Sequence, residues 1–205
     1  PTSELSLYKE RLKLLLGHYD VHKGIRRQES HNDILEVIAR KIAFSFHSSE
    51  KRMATIDAII GISIGALSMK YEKTAIETAV NELCDPCNIL IPMSTNGEWG
   101  FGHLRYQEHL VAEELIRNRG VEIEPYLTSS WWRSVLVLFS QMTDDFENIF
   151  TTHLLTTGHI GPAFDTLKAM ISVRPKKEST ELMKLLNNHK LMDAQDSEPF
   201  YEEEN

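Results

Sequence analysis

Apolar residues recur at spacings of three and four along nearly the whole chain, and strict alternation of apolar and polar residues is almost absent. Such spacing places apolar side chains on one face of an α-helix, so the pattern predicts helix as the dominant structure. Glycine, proline and short polar clusters separate the helical segments. We therefore expect an all-α protein, an irregular single-domain bundle of eight or nine helices connected mostly by short loops.

The most apolar segment covers residues 50–71, and two serines precede it as capping residues. We expect this segment to form the central helix. Gly61 and Gly65 would each cost about 1 kcal/mol relative to alanine, which indicates close approach of a neighbouring helix. Polar residues and glycines interrupt the segment well short of the roughly 18 apolar residues that a membrane span needs, and we expect no such span.

Residues 88–102 break the helical pattern. Two short apolar runs lie on either side of Asn96-Gly97, a pair that favours the tight turn of a two-stranded hairpin. The sequence therefore predicts one short β-hairpin in this region.

The composition is that of a globular protein, with 41% hydrophobic and 25% charged residues among 205. We expect a helical domain over residues 1–192 and an acidic, disordered tail over 193–205. The tail contains six of the 30 acidic residues and no lysine or arginine, so the body is nearly neutral although the net charge is -8. Phe200 and Tyr201 among these acids indicate binding of a basic protein partner; solubilisation is the alternative.

The two cysteines, Cys84 and Cys87, are too close in sequence for a disulfide framework, which favours a reducing intracellular compartment, cytoplasmic or nuclear. His103 and His109 follow them at the outer edge of the spacing found in zinc sites. Residues 84–115 resemble the ββα arrangement of a zinc finger. The resemblance implies a structural zinc ion held by these four residues in a regulatory protein-protein adaptor. The alternative is two buried thiols and two surface histidines.

The spacing of the two histidines constrains this hypothesis. Positions six apart on a regular helix point about 240° from each other, so His103 would have to precede the helix that carries His109.

Residues 143–148 resemble the paired acids that hold magnesium in isoprenoid enzymes. The resemblance implies a small magnesium-dependent helical enzyme centred on Asp144 and Asp145. A simpler explanation is that acids at a helix start interact favourably with its dipole. The sequence has no phosphate-binding loop, Walker lysine or dinucleotide fingerprint, so we expect a protein that is not an enzyme.

Two basic segments, residues 22–27 and 174–177, could meet phosphates if the fold brings them onto one face. The predicted nucleic-acid contacts are Lys23, Arg26, Arg27, Lys176 and Lys177. Ordinary solvated charge is the alternative explanation for both segments.

Trp131 and Trp132 are adjacent and cannot face the same direction on a helix, so we expect one in the core and one at an oligomer contact. In general character, a helical body with basic patches and an acidic tail resembles small viral nucleocapsid-associated or matrix-type proteins. Our first hypothesis is a non-enzymatic homo-oligomeric assembly protein that engages nucleic acid or a ribonucleoprotein.

Overall fold

The computed structural model describes residues 4–16, 29–155 and 160–196, with no account of the side chains of Glu4 and residues 192–196. The chain divides into two compact units, residues 1–117 and 118–205. These described ranges contain nine α-helices and one small antiparallel sheet, which confirms the all-α class. The division into a domain over 1–192 and a tail stays a prediction.

The first unit combines five helices with three short strands. The elements in chain order are α1 (Glu4–Leu15), α2 (Asn32–Ser48), β1 (Met53–Thr55), α3 (Ile56–Leu67), α4 (Lys73–Cys84), β2 (Leu90–Pro92), β3 (Glu98–Phe101) and α5 (Leu104–Arg117). Helix α2 is the centre of this unit, since it packs against α3, α4 and α5. Its Leu35, Ile38 and Ile42 are completely buried. The expectation that residues 50–71 form the central helix is therefore wrong.

The predicted hairpin is present as β2 and β3, and Gly97 at its turn has the positive φ of 77° that favours glycine. A third strand, β1, pairs antiparallel with β3, which gives the strand order β1-β3-β2. Met53 lies opposite Gly100, where a Cβ would collide with the carbonyl oxygen of Arg52. The sheet can form here because glycine allows this close approach.

Strand β1 occupies residues that the apolar spacing assigns to the following helix. The chain cannot stay helical there, because Glu50 has a φ of 55°. Helix α3 begins only at Ile56, and the Thr55 hydroxyl caps it by accepting a hydrogen bond from the Ala58 amide at 3.4 Å. Pairing with β3 and this cap together shorten the predicted helix by six residues at its start.

Helices α3 and α4 are consecutive, pack against each other and are joined by the short turn 68–72. Together with α2 before β1 and the hairpin after α4, they give the order helix, strand, helix, helix, hairpin. Strand β1 joins the sheet beside β3, the second strand of the hairpin.

The second unit is purely helical in its described residues. Its α-helices are α6 (Arg133–Met142), α7 (Phe146–Ile149), α8 (Phe164–Ser172) and α9 (Lys176–Asp196), with short 3-10 helices at Glu124–Tyr126 and Gly161–Ala163 and a π-helical turn at Phe150–Leu154. Helix α8 packs against both α6 and α9.

Arg174 connects the end of α6 to the start of α9 in the second unit. Its Nη1 donates to the carbonyl oxygens of Ser140 at 2.5 Å and Thr143 at 2.9 Å, and its Nε donates to Glu178 at 2.9 Å. The two carbonyls belong to the end of α6, where backbone acceptors lack partners within the helix. The guanidinium therefore caps α6 while its own charge is balanced by α9. No helix in the described part of the chain is long and apolar enough to cross a membrane.

Candidate protein-interaction surface

Helix α3 has only two polar residues, Asp57 and Ser63, but lies at the surface of the first unit. Only Ile59, Ser63 and Leu67 are buried. They lie on the side of α3 that packs against α2 and α4. Between Asp57 and Ser68 the exposed residues of α3 carry no polar side chain, although a solvated helix face is normally polar. We call the exposed side the outer α3 face; its residues are Ala58, Gly61, Ile62, Gly65, Ala66 and Met69, which continues the stripe past the helix end.

The outer α3 face is open. A Cβ added at Gly61 or Gly65 would meet no heavy atom of the described residues within 4 Å. Met69 is fully exposed, and Ile62 is half-buried. The two glycines predict close approach of a neighbouring helix, but no helix of the described residues packs against them.

Charged residues lie at the two ends of this face. Asp57 in the first turn of α3 is exposed, and Lys70, three residues beyond the helix, is also exposed. Lys70 Nζ lies 5.1 Å from the centre of the Tyr71 ring. The apolar stripe thus has an acid at its amino end and a base at its carboxyl end.

The outer side of α4 gives little support for binding DNA. Its exposed charges are Lys73 and Glu77, which cancel, and the other exposed side chains are small or neutral. Over residues 50–102 there are seven acidic and four basic residues, a net charge of -3. Affinity for a nucleic acid comes largely from neutralised phosphates. The exposed surface of α4 therefore carries almost no net charge.

The predicted zinc ligands lie in four different environments. Cys84 ends α4 and is half-buried, and Cys87 is buried just beyond it. His103 is exposed and immediately precedes α5, as the zinc hypothesis requires, while its ring lies 6.4 Å from that of Tyr106. His109 is buried inside α5, with Nε2 3.5 Å from Glu113.

No three His, Cys, Asp or Glu residues in the described ranges lie close enough together to hold a metal ion. Burial raises the pKa of Cys84 to about 11, so zinc would have to displace a proton from this thiol at neutral pH. The zinc site stays a prediction.

The predicted magnesium ligands are helix-start residues. Asp144 and Asp145 are exposed, Asp145 precedes α7, and its Oδ2 accepts a hydrogen bond from the side-chain Nδ2 of Asn148 at 3.3 Å. This contact is local to the first turn of the helix. Asp145 is the N-cap residue of α7, but its side chain accepts no backbone N–H of that helix, and the magnesium hypothesis stays a prediction.

The predicted nucleic-acid residues are described only in part. Lys176 and Lys177 are exposed in the first turn of α9, in the second unit. Lys23, Arg26 and Arg27 lie outside the described residues, and so do the tail aromatics Phe200 and Tyr201.

The two tryptophans precede α6 instead of lying within it. Trp132 is buried and stacks on Tyr126, with ring centres 3.7 Å apart and planes inclined by 12°. Trp131 is half-buried. The oligomer contact expected at this pair stays a prediction, whereas the outer α3 face is an apolar surface that the apolar spacing assigns to the core.

No known protein family matches this sequence, and no curated protein or solved structure is significantly similar to it. The proposed function therefore rests on the surface chemistry of the two units.

Proposed function

We propose that this chain is a non-enzymatic interaction protein whose outer α3 face docks against a helix of another protein chain. The observation that carries the proposal is a helix with only two polar residues among twelve that is covered on only one side. A helix with apolar residues around its whole circumference is expected to be buried. The exposed side of α3 is then expected to be buried against the surface of another molecule.

The two exposed glycines support the same proposal. Each weakens α3 by about 1 kcal/mol relative to alanine, and neither relieves a close contact within the described fold. Small residues at such positions let two helix backbones approach closely. We infer that Gly61 and Gly65 accommodate a partner helix.

The size of the face limits the strength of the interaction. A 12-residue helix is about 18 Å long. A single helix-on-helix contact of that length buries less than the roughly 1,000 Å² that a specific, stable interface needs. Association costs about 4 to 15 kcal/mol. The α3 contact by itself supports weak, reversible binding.

Nucleic-acid engagement remains a separate hypothesis, with Lys176 and Lys177 as the described candidate residues. A salt titration of binding to single-stranded RNA and duplex DNA tests it, because phosphate contacts weaken steeply with added salt. Loss of salt-sensitive binding on replacing both lysines by alanine would support it.

The docking proposal is tested by placing a photoreactive amino acid at position 62, in the middle of the outer α3 face. The matched control has the same group at Asn187, an exposed position on α9. We expect position 62 to form covalent adducts with protein and position 187 to form far fewer. Equal labelling at the two positions would contradict the proposal.

A further inference from the structure

We infer that the first unit has a second binding site, at which Tyr8, His103 and Tyr106 stack on an unpaired base of single-stranded nucleic acid. We call these three residues the aromatic patch. Tyr8 belongs to α1 and Tyr106 to α5, which pack against each other, and His103 immediately precedes α5. The aromatic patch shares no residue with the outer α3 face or with Lys176 and Lys177, so the inference is independent of the docking proposal.

The three rings of the aromatic patch form one cluster. Their centres lie 5.6 Å apart for Tyr8 and Tyr106, 6.2 Å for Tyr8 and His103, and 6.4 Å for His103 and Tyr106. The ring planes are inclined by 79°, 38° and 74° respectively, so no two of the three rings are stacked face to face. His103 is exposed and both tyrosines are partly exposed. Tyrosine and histidine rings that reach the surface in this way are suited to stacking on unpaired bases.

A backbone hydrogen bond orients the His103 ring. Its Nδ1 accepts the Arg105 amide N–H at 3.1 Å, as the side chain of an N-cap residue does at the start of a helix. An Nδ1 that accepts a hydrogen bond carries no proton, so in this arrangement the proton of the ring is on Nε2. The ring is therefore held in one orientation, and its Nε2–H can donate to a base edge or a phosphate.

The charges near the aromatic patch favour a ligand that carries phosphates. Arg11 is exposed on α1, three residues after Tyr8 and therefore about 60° from it around the helix. Glu10 is about 200° from Tyr8 and is paired with Lys13 at 3.3 Å. The dipole at the start of α5 also favours negative charge. Aromatic clusters can also bind methylated ammonium groups, but here such a group would meet like charge.

The first experiment measures binding of the full chain to a fluorescent oligouridine by fluorescence anisotropy at low salt. We expect Tyr106→Leu to weaken binding at least about fivefold, the lower limit for losing the stacking of one base. Tyr106→Phe keeps the ring and should bind as tightly as the parent chain. Tyr71→Leu changes a partly exposed tyrosine in the turn 68–72 and is the matched control. Equal losses in Tyr106→Leu and Tyr71→Leu would overturn the inference.

His103→Asn separates stacking from folding. Asparagine can cap α5 in place of His103 but has no ring, so the melting temperature should be no lower than that of the parent chain. We expect the affinity for oligouridine to fall at least about fivefold. Parent-like affinity in both His103→Asn and Tyr106→Leu would show that the rings do not contact the strand.

The phosphate contact is tested by the salt dependence of binding. Arg11→Gln should lower the affinity and reduce the slope of log affinity against log salt by about 0.7, the value for one phosphate contact on a single strand. Lys13→Gln, on the same helix but paired with Glu10, should leave the slope unchanged. Equal slopes in Arg11→Gln and the parent chain would remove Arg11 from the site.

The last experiment identifies the ligand and the site together. Bromouracil-substituted RNA and DNA strands are cross-linked to the full chain by ultraviolet light, and we expect adducts on peptides that contain Tyr8, His103 or Tyr106. Adducts only on the peptide with Lys176 and Lys177 would overturn this inference and support the other nucleic-acid hypothesis.

Binding of a trimethyllysine peptide, with no binding of either strand at low salt, would assign the aromatic patch to a methylated protein and also overturn the inference. Photolabelling at position 62 tests the outer α3 face separately, so each proposal can fail without the other.

Discussion

Helices α3 and α5 belong to the same unit, but the more apolar helix, α3, is the less buried of the two. Helix α3 has one charged residue, Asp57, and leaves one whole side exposed. Helix α5 is rich in charged residues, but eight of its residues are buried. Apolarity alone therefore does not determine which helix is inside; the partners available to each side chain do.

The buried carboxylate of Glu114 shows how α5 can lie inside. Its Oε1 accepts a hydrogen bond from Lys41 Nζ at 2.5 Å, and its Oε2 is 3.6 Å from Arg40 Nε. Both cations come from α2, so the charge is balanced at the helix contact. A buried charge is tolerated when it is paired and hydrogen-bonded.

Gln107 is a second polar group inside the contact between α5 and the end of α2. Its Nε2 donates to the carbonyl oxygen of Lys51 at 3.1 Å and lies 3.4 Å from His47 Nδ1. This carbonyl lies just before β1, so Gln107 ties the sheet to the helices.

The largest expected effect removes the charge partner of α5. Glu114→Gln leaves Lys41 facing a neutral group and Arg40 with Glu36 at 3.7 Å, and we expect the free energy of unfolding to fall by about 3 to 5 kcal/mol. Urea denaturation measures this change. Glu10→Gln, which breaks an exposed ion pair with Lys13 in α1, should change it by less than about 1 kcal/mol. Equal losses of unfolding free energy in the two variants would show that burial does not strengthen the Glu114 ion pairs.

A second substitution tests the uncharged part of the same interior. Gln107→Leu keeps a similar volume but leaves the Lys51 carbonyl without this donor, so we expect a loss of about 1 to 3 kcal/mol in unfolding free energy. Urea denaturation again measures the loss. Gln141→Leu, at an exposed position on α6, is the matched control. A Gln107→Leu protein as stable as the parent chain would show that packing alone places α5 inside.

Substitutions of the α3 glycines should stabilise the fold instead of weakening it. Gly61→Ala and Gly65→Ala should each raise the free energy of unfolding of the monomer by up to about 1 kcal/mol, since alanine favours helix and the added methyl meets open space. Thermal unfolding at high dilution measures this gain. Destabilisation by either variant would mean that the face is covered in the free monomer.

The smallest effect is a pH dependence in α5. Burial raises the pKa of Glu113, but the neighbouring His109 ring, whose Nε2 lies 3.5 Å from the carboxylate, together with Arg40 and Arg117 outweighs this and holds the pKa below its usual 4.5. A depressed pKa in the folded state stabilises the fold above pH 4.5, and the contribution disappears as pH falls through the lowered value.

We therefore expect the unfolding free energy to decline below pH 4.5 less steeply in Glu113→Gln than in the parent chain. Urea titrations at several pH values measure the two slopes. Identical slopes would rule out Glu113 as a source of the dependence.

Periodicity predicts the helical class and the Asn96-Gly97 hairpin because both depend on local preferences. It misassigns residues 53–55, because pairing with β3 is a contact between residues far apart in sequence. It also places the apolar α3 at the centre, since the pattern cannot show whether an apolar face has a partner in the same chain. The buried pairs of α5 are equally invisible, because Lys41 and Glu114 meet only after folding.

Three glycines of the first unit have different consequences for a library of random substitutions. At Gly100 any side chain would strike the backbone of Arg52, so selection for folding alone should eliminate every replacement. At Gly61 and Gly65 the same selection should enrich alanine and tolerate larger residues. Selection for association should instead retain glycine at all three positions, so the difference between the two screens would map the docking face residue by residue, whichever molecule occupies it.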